Sequence, residues 1–260
     1  MKTNYHTHTY RCKHARGEEK DYVLNAIEKN VSILGFSDHS PFENNKYDTS
    51  TRMDFSELKD YISIVNNLKE TYKDKINIKC GLEIEYNNNE HKYYEKLLNE
   101  YKVDYLVLGQ HFFANKNNKL INTYAINDSL HYIEYAKTIV DAIKTGYFKF
   151  LAHPDVIFVN DISWDKNCEN CCDLIINVAK ENDFILEFNA NGLRRGKHTF
   201  CDGTRYSYPY KKFWDKVAKE NIKVIINSDC HTHEQVWDNY MNKAYNLAKS
   251  WGLNIINEIF

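Results

Sequence analysis

Residues 223–231 read KVIINSDCH, a β-branched run that stops on a cluster of metal-type side chains. Consecutive Val and Ile residues favour a buried strand. Beyond it, Asp229 and His231 share one face, because alternate residues of an extended chain point the same way. The arrangement recurs along the chain. ILGFS (33–37) runs into Asp38 and His39, YLVLG (105–109) into Gln110 and His111, and FKFLA (148–152) into HPD (153–155). TNYHT (3–7) brings His6 and His8 to one side of a first strand. Parallel strands that carry polar chemistry at their C-terminal ends are the pattern of α/β barrels.

Strands are predicted at 3–7, 33–37, 78–84, 105–109, 148–152, 185–189 and 222–227, with an eighth candidate at 253–256. Between them lie stretches with apolar residues near i, i+3, i+4 and i+7, at 21–30, 55–72, 91–101, 130–146, 171–182, 208–221 and 236–252, which predict helices. Gly146 and Gly252 suit left-handed caps at two helix ends. With 3 prolines, 9 glycines and no low-complexity linker among 260 residues, a single domain over 1–260 is expected. No glycine-rich phosphate loop follows the first strand, which argues against a dinucleotide or P-loop fold.

A formal charge of -2 gives no basic stripe for nucleic acid, and no run approaches a membrane span or an export signal, so a cytoplasmic protein is expected. The sequence does not specify an oligomeric state. Seven cysteines in an odd, uneven set make a disulfide framework unexpected. Cys168, Cys171 and Cys172 have zinc-knuckle spacing, but no second pair follows, and their helical periodicity favours packed thiols.

Of the 11 histidines, His6, His8, His14, His39, His111, His153 and His231 sit in or after predicted strand ends. With Asp229 and an acid from GLEIEY (81–86), they exceed the needs of one tetrahedral ion and point to a polynuclear centre. Glu83 and Glu85 lie on one strand face, so periodicity cannot separate them. Arg194 and Arg195, between two glycines, and Arg16 are candidates to grip phosphate through paired charge-assisted hydrogen bonds, or else form solvated loops. Asp38 and Asp155 either orient neighbouring histidine rings or cap turns. Glu187 shares a strand face with Asn189 and serves either the mouth or the packing of the barrel.

The segments HTHTYRCKHA, GFSDHSPF, GLEIEY, GQHFF, LAHPD and NSDCH, in this order, resemble the PHP (polymerase and histidinol phosphatase) superfamily, particularly its histidinol-phosphate phosphatases. The likeness spans His6 to His231 and implies a distorted (β/α)7 TIM-like barrel. It also implies three divalent ions, zinc, manganese or iron, since imidazole and carboxylate accept all three. One ion would be held by His6, His8, Glu83 and Asp229, a second by Glu83, His111 and His153, and the third by His14, His39 and His231. Glu83 is chosen over Glu85 only because it matches the family's glutamate after the glycine.

The implied reaction is hydrolysis of L-histidinol phosphate to L-histidinol and phosphate by in-line attack of a metal-bridging hydroxide, with no proton donor identified. The substrate's amine would be received near Phe112, Glu187 or Asp202. One departure weakens the phosphate grip, because VIFVNDISWD (156–165) lacks the basic residue that relatives carry soon after HPD. The rival readings are a related phosphoesterase acting on another small phosphomonoester or nucleotide, an amide or deamination hydrolase, and a non-catalytic metal or nucleic-acid module.

Overall fold

The computed structural model describes every residue except Lys46 and Asp48. The chain forms two compact units, one of Met1–Ile84, Glu90–Val107 and Asn227–Asn242, the other of Glu85–Asn89, Leu108–Ile226 and Lys243–Phe260. Along the chain the described strands are β1 (Thr3–Asn4), β2 (Ile33–Phe36), β3 (Asn77–Ile84), β4 (Tyr105–Leu108), β5 (Phe112–Ala114), β6 (Leu120–Asn122), β7 (Phe148–Leu151), β8 (Ile185–Asn189), β9 (Lys197–Phe200), β10 (Gly203–Tyr206), β11 (Lys223–Asn227) and β12 (Asn254–Ile256). Eight of them form one sheet in the order β1-β2-β3-β4-β7-β8-β11-β12. Neighbours pair in parallel, with Thr3 opposite Ile33, Ile33 opposite Asn77, Phe150 opposite Ile185 and Lys223 opposite Asn254. Parallel pairs require crossovers, and helices supply most of them.

The helices are α1 (Glu19–Glu28), α2 (Leu58–Thr71), α3 (His91–Asn99), α4 (Leu130–Lys144), α5 (Lys166–Glu181), the short α6 (Asn191–Arg194), α7 (Lys211–Lys219) and α8 (Asn239–Ser250). Each longer one forms where the apolar period predicts it. In α2 the buried residues are Leu58, Tyr61, Ile62, Val65 and Leu68, a stripe at helical spacing. In α5 Cys168, Cys171 and Cys172 lie on the buried face with Ile175 and Ile176, and all seven cysteines are free thiols. The Asp165 carboxylate starts this helix by accepting from the backbone N–H groups of Asn167 (2.9 Å) and Cys168 (3.0 Å). Gly146 (φ 75°) and Gly252 (φ 71°) adopt the left-handed conformation expected after α4 and α8.

Tyr105 on β4 shows why two glycines occur in strands of the first unit. A Cβ on Gly35 would lie 2.2 Å from its hydroxyl oxygen, and one on Gly81 2.4 Å from its ring. The ring fills the space that β2 and β3 leave there, and its hydroxyl reaches the carbonyls of Tyr5 (2.7 Å) and Phe36 (2.9 Å). That second contact line fixes the chain just before His6.

Two features differ from the sequence reading, the first strand and two added hairpins, while the eighth candidate strand at 253–256 is borne out. The first strand is regular for only two residues, because side chains interrupt the ladder beyond it before Thr7 pairs again with Cys230. Asn227 Oδ1 accepts from the Tyr5 N–H (2.8 Å), Asn4 Oδ1 from the Ser228 N–H (2.8 Å), and Ser37 Oγ from the Thr7 N–H (3.1 Å). Two antiparallel hairpins, β5/β6 and β9/β10, were not anticipated. Their apolar runs are too short for a periodic signal, although Asp202-Gly203 in the second is a turn dipeptide. The eighth sheet strand, β12, is present and pairs with β11.

Candidate metal centre

In the first unit, four side chains meet with a spacing that has a specific physical meaning. His6 Nε2 lies 3.3 Å from Glu83 Oε2 and 3.6 Å from Asp229 Oδ1, and His8 Nε2 lies 3.4 Å and 3.2 Å from the same two oxygens. Four donors held about 2.0–2.1 Å from one tetrahedral ion are separated from each other by about 3.4 Å. The observed distances bracket that value. Among the described residues, both buried ring nitrogens of His8 lack a hydrogen bond of good geometry, Nε2 facing the Glu83 and Asp229 oxygens at 3.4 Å and 3.2 Å instead. Such orphaned buried nitrogens are costly unless something else occupies their lone pairs. The donor set and its spacing fit a divalent cation.

Three further imidazoles border this group. Glu83 Oε2 is also 3.0 Å from His39 Nδ1. The His39 and His231 rings lie 4.4 Å and 4.6 Å from that of His8, and the His14 ring lies 4.8 Å from that of His231 and 5.4 Å from that of His39. His14 Nδ1 is 2.7 Å from the Cys12 carbonyl and His231 Nδ1 is 3.1 Å from that of Asp229. A carbonyl only accepts, so each Nδ1 carries the proton and each Nε2 is left as a free donor to a metal.

The electrostatics agree. Burial, then the neighbouring His39, pushes the His8 imidazole well below its ordinary pKa, so it is neutral and able to ligate at neutral pH. Burial also lowers His231. Burial by itself would raise Asp229, but the imidazoles of His6, His8 and His231 hold its carboxyl well below the usual range. Asp229 has φ 48° and His153 has φ 30°, both in the left-handed region that side-chain-bearing residues rarely adopt. Strain of this kind concentrates where a strand end must aim a functional group.

Around the first cluster, Asp38 accepts from the Thr9 N–H (2.9 Å) and hydroxyl (2.6 Å), with the His8 ring 4.0 Å away. Burial pushes its carboxyl up to about 8 against those two bonds. Arg11, within the HTHTYRCKHA motif, is buried and pairs with Glu19 (2.5 Å) and Asp60 (2.7 Å), which anchors the His8–His14 loop on α1 and α2. Arg16 is exposed, its backbone fixed by an N–H bond to the His231 carbonyl (2.8 Å).

In the second unit, His111 and His153 face each other with ring centroids 5.0 Å apart. Glu187 accepts from the His153 backbone N–H (2.9 Å) and from Asn189 (2.8 Å), so it braces the HPD turn. Asp155 accepts from the Tyr210 N–H (2.6 Å) and the Trp214 indole (2.8 Å), and burial raises it to about 6. These bonds tie the turn to the start of α7. Tyr208, 1% exposed, lies 6.2 Å from the His153 ring and carries the Arg195 guanidinium 5.6 Å from its own ring centre. Arg194, half-buried, ends α6 one residue earlier. Asp202 is engaged by Tyr210 (2.5 Å) and Arg205 (2.9 Å) within the β9/β10 hairpin.

The sequence matches the PHP domain family over residues 4–191, well over half of its length. The chain belongs to the PHP domain family. Its relatives include a probable histidinol-phosphatase of Schizosaccharomyces pombe, 26% identical over 96% of this chain and 86% of the relative. A Listeria monocytogenes structure solved as a candidate histidinol phosphatase superposes with a TM-score of 0.75 at 21% identity, covering 93% of this chain and 99% of the other. The histidinol phosphate phosphatase of Lactococcus lactis, solved with zinc, L-histidinol and phosphate, gives a TM-score of 0.67 at 18% identity over 98% and 95% of the two chains. The fold is therefore the distorted TIM-like α/β barrel of PHP proteins, the chain is a PHP phosphatase, and its clustered His, Glu and Asp side chains could hold a divalent ion. Among the described residues, no helix of this PHP chain is long and apolar enough to cross a membrane.

The sequence did not reveal the roles of Glu85 and Gln110, and it did not single out Tyr208. Glu85 lies 3.3 Å from His111 Nδ1. Gln110 and Tyr208 are buried supports for His111 and Arg195, respectively. Only the Glu83/Glu85 pairing on one strand face offered a signal, and it did not say which acid goes where.

Proposed function

We propose that this PHP phosphatase hydrolyses L-histidinol phosphate to L-histidinol and inorganic phosphate in the cytoplasm, with residues 1–260 working as one domain. The spacing of 3.2–3.6 Å among His6, His8, Glu83 and Asp229 carries the reading, because it equips the chain for metal-assisted hydrolysis. The names of the Schizosaccharomyces relative and the Lactococcus structure support the substrate. The reading takes three ions, of zinc, manganese or iron, and includes His14, His39 and His231 in one ligand set and His111 and His153 in another. When bound, such ions supply Lewis acidity, which lowers the pKa of water and offsets charge on the phosphoryl oxygens.

The chain's own residues supply the remainder. His14 and His231 present Nε2 because backbone carbonyls hold their Nδ1 protons. Arg195 reaches phosphate oxygens as a planar fork, steadied by the Tyr208 face beside His153. With no basic residue in VIFVNDISWD, Arg195 carries a larger share of that grip, helped by Arg194, and Arg16 in the first unit stays a separate candidate. Glu187, Asp38 and Asp155 hold the ligand-bearing loops in place by the hydrogen bonds they accept.

Phosphate release from a panel of phosphorylated metabolites tests the substrate. The expected result is kcat/KM for L-histidinol phosphate about a hundredfold above other monoesters and nucleotides. Equal turnover across the panel would instead support a general PHP phosphoesterase. Arg195→Ala should raise KM with metal content intact, and a wild-type KM in that variant would remove Arg195 from the phosphate site.

A further inference from the structure

We propose that Glu85 is a positioning residue for His111: its carboxylate takes the hydrogen bond from ring Nδ1 and thereby commits Nε2 to a divalent ion. This rests on the reading of His111 as a ligand. Glu85 Oε1 lies 3.3 Å from His111 Nδ1, and the carboxylate is largely buried, 7% exposed. A carboxylate accepting from one ring nitrogen fixes the tautomer and ring orientation and makes the other nitrogen a better donor.

The two residues are also held at a fixed separation. Gln110 is fully buried, and its side-chain oxygen accepts from the Tyr86 N–H (3.0 Å). Its amide nitrogen donates to the carbonyls of Tyr86 (3.2 Å) and Phe112 (2.6 Å). One side chain therefore joins the segment after Glu85 to the segment after His111. Thr123 completes the frame, its hydroxyl donating to the Gln110 carbonyl (2.8 Å) and its N–H to the His111 carbonyl (2.9 Å). A carboxylate present only as surface charge would not need such bracing.

The chemistry also explains the pair of acids in GLEIEY. β3 ends at Ile84, so the alternation that puts Glu83 and Glu85 on one face stops between them. Glu83 joins His6, His8 and His39, whereas Glu85 turns to His111.

The test compares zinc binding by wild type, Glu85→Ala and Glu85→Gln, using metal-stripped protein titrated against a chromophoric chelator. Melting of the stripped proteins is followed in parallel to confirm that each variant is folded. Glu85→Ala should lose affinity for one ion by about 10- to 100-fold while the remaining ions bind as in wild type. Glu85→Gln, which keeps an oxygen acceptor at that place, should retain affinity within a few-fold. Wild-type affinity for every ion in Glu85→Ala would overturn the proposal, as would equal weakening in both variants, since that would mark Glu85 as a charge rather than a hydrogen-bond partner. Normal zinc binding in both variants together with a raised KM for L-histidinol phosphate would overturn it as well, assigning the carboxylate to the substrate's amine. A wild-type chain that binds no zinc would refute the metal-centre reading beneath it.

Discussion

Replacing Glu83 by Ala should uncouple the protein's stability from divalent metal. Glu83 is 1% exposed, and its Oε2 lies 3.0–3.4 Å from nitrogens of His6, His8 and His39, so one carboxylate oxygen serves three imidazoles at once. An ion present at a hundred times its dissociation constant stabilises the folded state by about 2.7 kcal/mol. With an unfolding entropy of about 2.1 cal/mol/K per residue, a chain of 260 residues changes stability by about 0.5 kcal/mol per degree near its midpoint. One tightly bound ion should therefore raise Tm by about 5 °C, and further ions should add to it. The assay is thermal melting of chelator-stripped protein with and without added zinc. Wild type should show the full shift, whereas Glu83→Ala should lose most of it even if the stripped variant melts near the stripped wild type. A variant that keeps the whole shift would refute the assignment of Glu83 as a ligand and make the 3.2–3.6 Å spacing a product of packing alone.

Three other outcomes follow from the fold. Asp155→Ala leaves the Trp214 indole N–H and the Tyr210 N–H without their buried acceptor, each worth about 1–3 kcal/mol, so denaturant unfolding should show a loss of several kcal/mol while zinc content is retained. Loss of zinc with unchanged stability would make Asp155 an orienting group for the centre instead of a structural tie. Gly81→Ala forces a methyl group against the Tyr105 ring, 2.4 Å from its nearest atom, and should cost about 1–3 kcal/mol by the same measurement; an unchanged midpoint would contradict the close packing of β3 and β4. Of seven cysteines only Cys201 is exposed, and burial raises the thiol of Cys168 to about 11, so a disulfide reagent at pH 8 should modify one thiol rapidly in the native protein and all seven after denaturation. Rapid native reaction of Cys168, Cys171 or Cys172 would show that α5 does not bury them.

Elements with long apolar periods were legible from the sequence, as α2, α4 and α5 illustrate, because burial of one stripe is what stabilises them. The chemistry was legible for a related reason. A parallel strand ends abruptly, and a polar residue placed directly after a β-branched run has few structural uses, so Asp229, His39, His111 and His153 stood out. What the sequence did not reveal depends on long-range contacts. Nothing local distinguishes Glu83 from Glu85, since their fates part only where β3 stops pairing. The role of Tyr105 was hidden because a tyrosine in a strand is ordinary until Gly35 and Gly81 are brought under it. Nothing local marks Arg11, and only its pairing with Glu19 and Asp60, 8 and 49 residues away, identifies it as an anchor.

The central claim is that the side chains of His6, His8, Glu83 and Asp229 share a cation. Anomalous diffraction from zinc-loaded crystals, recorded on both sides of the zinc absorption edge, addresses it directly. The expected result is a peak about 2.0–2.2 Å from His6 Nε2, His8 Nε2, Glu83 Oε2 and Asp229 Oδ1. Zinc found only at surface histidines, with no peak among these four atoms, would contradict the account.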